Sequence, residues 1–241
     1  LILSGGSALN SVANGKVLRE SGFSELFVPP VPDDSGISVG PALYVQNMIL
    51  AKGSRVSMSN NYWGPEFSSD KIEKELHNYK ISHKKTDSIE SDVARLIADG
   101  KIVGWFQGKS ESGNRALGNR CILADPRSTE MKDKINERVK HRQWYRPFAP
   151  SILREEVNSW FDREVDSPYM SFCLKFKEDM KDKVPAVLHF DGTARLQTVS
   201  KNDNKWYHGF ISKWFKKSGV PIVLNTSFTI ENPLVKHQTT Q

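Results

Sequence analysis

The chain has 241 residues and a net charge of +6, from 34 basic and 28 acidic residues. A chain of this length can form one or two domains with their own cores, which excludes a peptide or a cysteine-stapled miniprotein. Its only cysteines, Cys121 and Cys173, are too few for a disulfide framework or a cysteine-rich zinc site, so we expect a cytoplasmic protein. The sequence contains neither a run of about 18 apolar residues nor a secretory signal, and we expect no membrane-spanning segment.

The first part of the chain alternates short apolar runs with segments of helical spacing, separated by glycine and proline. The sequence starts with Leu1 inside a predicted strand, which leads us to expect a piece of a longer polypeptide. The predicted elements are a strand over 1–4, a helix over 8–18, a strand over 26–28, a helix over 37–51, a short helix over 70–79 and a Lys-rich linker over 83–85.

A second unit is predicted to begin at Ser88, which can cap a helix that ends at Gly100. The elements predicted after it are a strand over 102–106, helices over 130–141 and 155–161, strands over 186–190 and 196–199, a helix around 206–215 and a strand over 220–224. The sequence therefore predicts two α/β domains joined near residue 85.

The positive charge is concentrated in one window. Residues 101–154 contain 12 basic and 5 acidic residues, a net charge of +7, whereas the rest of the chain sums to −1. A nucleic-acid surface, a site for small phosphorylated ligands and an ordinary solvated surface all fit this excess.

Two polar loops of the first unit are candidate sites. Gly5 and Gly6 follow a predicted strand and precede a helix, where the backbone can approach a ligand and helix amides favour an anion. A plain tight turn fits the same two glycines. Asp33 and Asp34 form an acidic loop that could bind a metal ion or merely cap the next helix.

Four polar clusters of the second unit lie at the ends of predicted elements. Each has an alternative as a solvated surface or an ordinary turn, and the aromatic side chains of 144–148 are more often core than binding residues. Four such clusters in one domain favour a pocket for a phosphorylated ligand. The clusters are Gly113–Arg120 with Arg115, Lys140–Pro150 with Arg146, His189–Arg195, and Leu224–Phe228 with Asn225 and Ser227.

In this order, the polar stretches closely resemble the C-terminal half of the O-carbamoyltransferase family that includes NodU and CmcH. The resemblance extends along nearly the whole chain. Its most specific segments are GGSALNSVANG at 5–15, RALGNR at 115–120, RPFAPS at 146–151, DGTARLQTV at 191–199 and LNTSF at 224–228.

The resemblance implies an α/β protein with two domains. Residues 1–85 would be the C-terminal part of an actin-like (ASKHA) carbamoyl-transfer domain with a linker, and residues 88–241 a YrdC-like domain. The activity implied is that of an ATP-dependent O-carbamoyltransferase. The YrdC-like domain would form carbamoyl adenylate from carbamoyl phosphate, ATP and Mg²⁺. The actin-like domain, with an iron-type divalent metal ion, would pass the carbamoyl group to a hydroxyl of a sugar, antibiotic or other natural product.

The resemblance also implies roles for individual residues. Lys140, Arg146 and Arg195 would be catalytic, Arg115, Asn225 and Ser227 would bind the phosphates, Gly5 and Gly6 would form a nucleotide-binding turn, and Asp34, or Asp33 if the loop register differs, would bind the metal. Displacement at the α-phosphorus by carbamate needs charge neutralisation more than a protein nucleophile, in keeping with the lack of an obvious Ser–His or Cys–His pair.

Three departures from the family pattern affect these expectations. Asn114 stands where the family has proline, which leaves Arg115 less restrained. The metal-binding histidines of the family lie upstream of Leu1, so we expect the chain to form the adenylate without completing the transfer. Residues 235–241 either stop short of the expected closing helix or depart from it in sequence.

The alternative is an RNA-binding or tRNA-modification module, because both domain types resemble parts of threonylcarbamoyladenosine synthesis and the window 101–154 is basic. A scaffold that has kept the fold without the activity is a third hypothesis. The expected partners are carbamoyl phosphate and a small hydroxyl-bearing acceptor. No membrane partner is expected, nucleic acid is less favoured, and a homodimer is left open.

Overall fold

The computed structural model describes residues 1–51, 58 and 60–229. Its six strands form one sheet in the order β1-β2-β6-β3-β5-β4, so the chain has a mixed α/β fold. The strands are β1 (Val103–Phe106), β2 (Arg120–Ala124), β3 (Ala149–Leu153), β4 (Phe172–Lys175), β5 (Thr193–Val199) and β6 (Ile222–Ser227).

Seven α-helices accompany the sheet in the described part of the chain. A π-helical turn, Val45–Ile49, extends the second of them. Every described helix is too short or too polar to cross a bilayer. The helices are α1 (Ser11–Glu20), α2 (Val39–Tyr44), α3 (Ser69–Asn78), α4 (Ile89–Ala98), α5 (Thr129–Arg138), α6 (Val157–Trp160) and α7 (Lys205–Ser218).

Strand β6 lies inside the sheet and pairs antiparallel with β2 and β3. The pairs β1–β2 and β4–β5 are also antiparallel, and β3–β5 is parallel. Asn225 is in register with Leu123 on one side and with Ala149 on the other. The chain thus places a polar side chain near the middle of the sheet.

The sheet is covered on both faces, because alternate residues of a strand point to opposite sides. Val223 packs with Ile97 of α4 and Trp214 of α7 in one core cluster. Its neighbour Leu224 packs with Ile135 of α5 in the other. Burial on both faces explains why the strands are almost continuously apolar.

Helix α1 brings the first part of the chain against strand β4. Asn14 Nδ2 donates to the carbonyl of Ser171 at 3.0 Å, and Arg19 Nη1 donates to the carbonyl of Cys173 at 3.2 Å. A Cβ on Gly15 would clash with that Cys173 carbonyl, so glycine permits the close approach. The N-terminal end of α1 consequently lies beside the sheet.

The predicted helices are confirmed, with small shifts at their ends. Ser88 occupies the predicted N-cap position of α4, although its side chain makes no capping hydrogen bond to the helix. The predicted strands over 1–4 and 26–28 amount to a single parallel bridge between Ile2 and Phe27. The predicted C-terminal departure at 235–241 lies outside the described residues.

The strand predictions are less accurate. Residues 186–190 form no strand, because the proline at Pro185 starts a 3₁₀ helix, Pro185–Val187, followed by a turn. Strands β2, β3 and β4 were not predicted. The last strand extends to Ser227. Asn225 and Ser227 therefore lie within the strand, and the prediction that they lie beyond its end is wrong.

Candidate functional site

A cavity of ≈ 460 Å³ opens between the loop that precedes β2, the segment after α5 and strands β5 and β6. Its wall includes five basic side chains, and none of the described wall residues is a carboxylate. Such a wall concentrates positive potential and favours an anionic ligand. The five are Arg115, Lys140, Arg142, Arg146 and Arg195.

Arg195, on β5, is partly buried in this wall. Its Nε is buried and has no hydrogen-bond partner among the described residues. Burial, and next the positive charges of Arg115 and Arg142, lower the pKa of Arg195 to about 10. A guanidinium without a counter-charge is costly to bury, and a bound anion would relieve that cost.

Arg115 is also partly withdrawn from solvent. Burial lowers the pKa of its guanidinium, and its Nη2 donates to the carbonyl of Leu9 at 3.2 Å. Arg115 and Arg195 are therefore two partly desolvated cations on one wall. Together they offer planar donor groups suited to phosphate oxygens.

Lys140 lies two residues after the end of α5 and is only 2% exposed. Its Nζ donates to the carbonyl oxygen of Ser227 at 2.5 Å, to Ser227 Oγ at 3.1 Å and to the carbonyl of Thr229 at 2.6 Å. The lysine thus holds the end of β6 and brings a positive charge to the cavity wall.

The segment after Lys140 is shaped by the buried residue Asn136 of α5. Its Nδ2 donates to the carbonyls of Trp144 and Arg146 at 3.2 and 3.1 Å, and its Oδ1 accepts from Arg142 Nε at 2.7 Å. Asn136 therefore holds the turn that carries Arg146 to the wall. Of the aromatic residues expected in the core, Phe148 is buried, whereas Trp144 and Tyr145 are exposed.

Asn225 belongs to a buried polar cluster with Ser151 of β3 and Gln197 of β5. Its Nδ2 lies 3.1 Å from Ser151 Oγ, 3.0 Å from Gln197 Oε1 and 3.0 Å from the carbonyl of Ala116. Gln197 Nε2 donates to the next carbonyl, that of Leu117, at 2.7 Å. Asn225 thus lines the cavity and also holds the backbone just after Arg115.

Glu111 holds the same loop from its other side. Its Oε1 accepts hydrogen bonds from the backbone amides of Leu117 at 2.7 Å, Asn119 at 2.8 Å and Arg120 at 3.2 Å. Gly118 has φ +113, and a Cβ there would clash with the ring of Tyr207. A carboxylate and a glycine therefore determine the loop conformation.

The second arginine of the RALGNR segment does not line the cavity. Arg120 donates to the carbonyls of Gln107 and Gly108 at 2.7 and 3.0 Å. Its guanidinium lies 3.6 Å from the centre of the Phe106 ring. Arg120 stabilises the start of β2, whereas Arg115 of the same segment faces the cavity.

Sequence reasoning did not select several wall residues. Ser11 lies at the N-terminal end of α1, where the helix dipole favours an anion. Cys173 also lines the wall, and burial raises the pKa of its thiol. His189, which begins the predicted cluster His189–Arg195, lines the wall as well, and burial lowers its pKa. Arg142 lies in the same basic segment as Lys140, and Ser11 lies in the GGSALNSVANG segment, so both were within reach of the motif analysis.

Gly5, Asp33 and Asp34 lie on a second cavity of ≈ 470 Å³. Gly5 has φ +89, and its amide donates to the carbonyl of Pro32 at 2.7 Å. Gly6 starts a 3₁₀ helix and is not among the described wall residues. The structure therefore separates these predicted residues from the basic cavity.

The acidic loop of this second cavity has one buried polar atom without a partner, Asp33 Oδ1. The other oxygen, Oδ2, accepts from Asn114 Nδ2 at 2.9 Å. Asp34 is exposed. Within the described ranges, neither aspartate belongs to a group of three His, Cys, Asp or Glu ligands. The described residues do not by themselves form a metal site here, and the metal site stays a prediction.

A small gap lies between the two cavities. Its described wall includes Asp33, which lines the second cavity, and Asn114, Arg115 and Met170, which line the basic one. The two cavities therefore share a dividing wall formed by the Asp33 loop and the Arg115 loop.

Comparison with known proteins identifies relatives of this chain. The model of the carbamoyltransferase C-terminus matches residues 94–241, and that of the carbamoyltransferase N-terminus matches residues 1–43. The chain is similar to nodulation protein NolNO of Sinorhizobium fredii, with 46% identity over 95% of this chain and 34% of the relative. It is 42% identical to nodulation protein NolO of Bradyrhizobium diazoefficiens over 95% of this chain and 43% of the relative.

Nodulation protein U of Sinorhizobium fredii is 39% identical over 94% of this chain and 39% of the relative. The chain thus spans less than half the length of these relatives. A crystal structure of T. kodakarensis HypF matches with a TM-score of 0.40 and 19% identity, over 62% of this chain and 18% of that one. The C-terminal family model alone matches well over half of the residues. The chain belongs to the carbamoyltransferase family, a family of transferases.

Proposed function

We propose that the basic cavity binds carbamoyl phosphate and the phosphates of ATP and forms carbamoyl adenylate. In the complete protein, the carbamoyl group then passes to a hydroxyl of a small acceptor. The observation that supports this proposal is the wall of five basic side chains without a carboxylate among its described residues. Both reactants carry several negative charges, which such a wall would neutralise.

The cavity has a suitable size. Its volume of ≈ 460 Å³ falls within the range of roughly 300–1,000 Å³ that is usual for small-molecule sites. Arg195 and the partly desolvated Arg115 bring guanidinium donors to the wall, and no described wall residue is a carboxylate that would neutralise them. A phosphate group would satisfy these donors with charge-assisted hydrogen bonds.

In the proposed reaction, water cleaves carbamoyl phosphate into carbamate and inorganic phosphate. A carbamate oxygen then attacks the α-phosphorus of ATP, the bond from that phosphorus to the bridging oxygen breaks, and pyrophosphate leaves. Arg115, Arg146 and Arg195 stabilise the charge on the phosphoryl oxygens. Lys140 holds Ser227 in place and adds positive charge beside the leaving pyrophosphate.

Mg²⁺ would supply further charge neutralisation when bound to ATP. The described wall has no carboxylate to hold such an ion, so we expect Mg²⁺ to enter with the ATP phosphates. Asn225, Thr226 and Ser227 provide the neutral polar groups of the wall, which orient the reactants without adding negative charge.

The finer fold assignment is part of the same proposal. We infer that residues 88–241 are YrdC-like and that residues 1–85 are the C-terminal part of an actin-like domain. The separate family matches over 94–241 and 1–43 support this division. The second cavity, with Gly5 and Asp34, would belong to the transfer site and contribute one ligand to an iron-type metal ion.

The RNA-binding alternative is less favoured. Its support was the basic window, but four of the five wall cations belong to that window and converge on one cavity of small-molecule size. A nucleic-acid surface requires basic groups along an extended face. Negligible RNA affinity at about 150 mM salt would remove the alternative.

Carbamoyl-phosphate-dependent release of pyrophosphate from ATP tests the proposal. We expect the wild-type chain to release pyrophosphate and the variants Lys140→Ala and Arg146→Ala to lose this activity. Lys134→Ala is the matched control, because Lys134 is exposed on α5 and is not among the described wall residues. Full activity in both cavity variants, or no carbamoyl-phosphate dependence in the wild type, would contradict the proposal.

A further inference from the structure

A group of potential metal ligands lies at the end of helix α3, between the two sets of cavity motifs in the sequence. Glu73 and His77 are four residues apart on α3 and therefore share one face of the helix. His83 follows the helix and comes back over its last turn. One ligand atom from each of these three side chains lies within 4.8 Å of those of the other two.

The backbone brings His83 to this position. The amide of Lys80 donates to the carbonyl of His77 at 3.0 Å, and the amide of Ile81 donates to the carbonyl of Leu76 at 2.8 Å. Lys80 has φ +53, which reverses the chain direction. The rings of His77 and His83 then meet edge to face, with their centroids 4.9 Å apart.

A further hydrogen bond prepares His83 as a ligand. Its Nδ1 lies 2.9 Å from the carbonyl oxygen of Ile81, and only a protonated Nδ1 can donate to that oxygen. The other nitrogen, Nε2, then carries the lone pair that a metal ion requires. Metal-binding histidines are commonly oriented by such a bond to a backbone carbonyl.

We propose that Glu73, His77 and His83 form a surface site for a zinc-type transition-metal ion. Two imidazoles and one carboxylate are a ligand set suited to Zn²⁺, with water in the fourth position, whereas Mg²⁺ and Ca²⁺ prefer oxygen ligands. Tetrahedral Zn²⁺ with bonds of about 2.1 Å needs ligand atoms about 3.4 Å apart. All three side chains are exposed, so small rotations can close the present spacing.

Occupancy of this site would fasten the segment 79–83 to helix α3. It is separate from the metal site predicted at Asp34, because the residues belong to different loops and Asp34 is not in this group. The ion would thereby restrain the part of the chain that connects α3 to α4. We expect slower proteolysis of 79–87 when Zn²⁺ is bound.

Titration of the full chain with Zn²⁺, and with Co²⁺ as a spectroscopic probe, tests the site. We expect one ion to bind at this site in each chain, and bound Co²⁺ to show the visible absorption of tetrahedral coordination. Each of His77→Ala, His83→Ala and Glu73→Gln should lose at least tenfold in affinity. Because these side chains are exposed, the variants should keep the wild-type circular dichroism. Millimolar Mg²⁺ should not compete.

Two control variants separate this site from other binding. His208→Gln removes a histidine of α7, which is paired with Glu155, and Asp34→Asn removes the predicted ligand of the second cavity. Both should retain the Co²⁺ spectrum and the slowed proteolysis. The proposal is overturned if the double variant His77→Ala/His83→Ala keeps wild-type affinity, or if only the Asp34 variant loses binding.

Discussion

Asn114 donates a hydrogen bond to Asp33 across 2.9 Å, and this bond joins the loop of the basic cavity to the acidic loop of the second cavity. The two residues are 81 positions apart in the chain. Asn114 stands where the family has proline by resemblance, so this chain has a side-chain donor in place of a rigid ring. The bond therefore couples the conformation of the Arg115 loop to that of the Asp33–Asp34 loop.

Replacement of Asn114 by aspartate tests this coupling. Asn114→Asp places a second carboxylate against Asp33, and two such charges repel by about 1 kcal/mol at the surface. We expect a fall in Tm of about 2–4 °C at pH 7.5, relative to Asn114→Ala. Equal melting temperatures of the two variants at pH 7.5 would contradict the coupling.

Removal of the Arg195 charge should stabilise the unliganded chain. The guanidinium is desolvated, and its pKa of about 10 lies below the ordinary value, so below pH 10 the folded state bears the cost of a confined cation. We expect Arg195→Met to raise the Tm of the unliganded protein and to abolish the increase in Tm that pyrophosphate gives the wild type. Thermal melts with and without pyrophosphate measure both effects. A large decrease in the unliganded Tm would show that Arg195 acts as a structural residue.

A lysine at position 195 should make ligand binding sensitive to pH. The ordinary pKa of lysine is about 10.4, and the same burial and the nearby Arg115 and Arg142 would lower it further. Arg195→Lys should therefore bind pyrophosphate at pH 7 and lose affinity at least threefold more than the wild type by pH 9. Calorimetry measures the affinity of both proteins for pyrophosphate at pH 7, 8 and 9. The protonation of pyrophosphate itself changes equally in both series, so it does not affect the comparison. If the pyrophosphate affinities of the two proteins change in parallel between pH 7 and 9, the side chain at position 195 is not a confined cation.

Glu111 should be required for both stability and activity, although it does not line the cavity. Its Oε1 accepts from three backbone amides of the Arg115 loop. We expect Glu111→Ala to lower the free energy of unfolding by about 2 kcal/mol and to reduce pyrophosphate release at least tenfold. Glu111→Gln keeps an acceptor and should lie between Ala and the wild type in urea denaturation. Wild-type activity in Glu111→Ala would contradict the prediction, because it would show that catalysis does not depend on the loop conformation that Glu111 holds.

The helices of this fold could be predicted from periodicity, but half of the six described strands could not. In α4, Val93 and Ile97 repeat at helical spacing and are both buried. Strands β2, β3 and β4 are short segments of four or five mostly apolar residues, and segments this short cannot be told from helix by pattern alone. Strand β3 also contains Pro150, which is unfavourable in an interior strand.

The sequence motifs identified most of the basic residues of the site, but they did not distinguish residues that face the cavity from residues that hold the structure. Arg115 and Arg120 belong to one segment, yet Arg120 is engaged by Gln107 and Phe106. Glu111 and Gln197 support the cavity through backbone contacts that only the folded chain reveals. The side chain of Asn225 is likewise shared between the wall and the buried cluster of the sheet.

A crystal structure of the chain with carbamoyl phosphate and a non-hydrolysable ATP analogue tests the central claim most directly. The account predicts phosphate oxygens within hydrogen-bond distance of Arg115, Arg146 and Arg195, with Lys140 still bound to Ser227. Phosphates bound elsewhere, with the basic cavity filled only by solvent at saturating concentrations of both compounds, would contradict it.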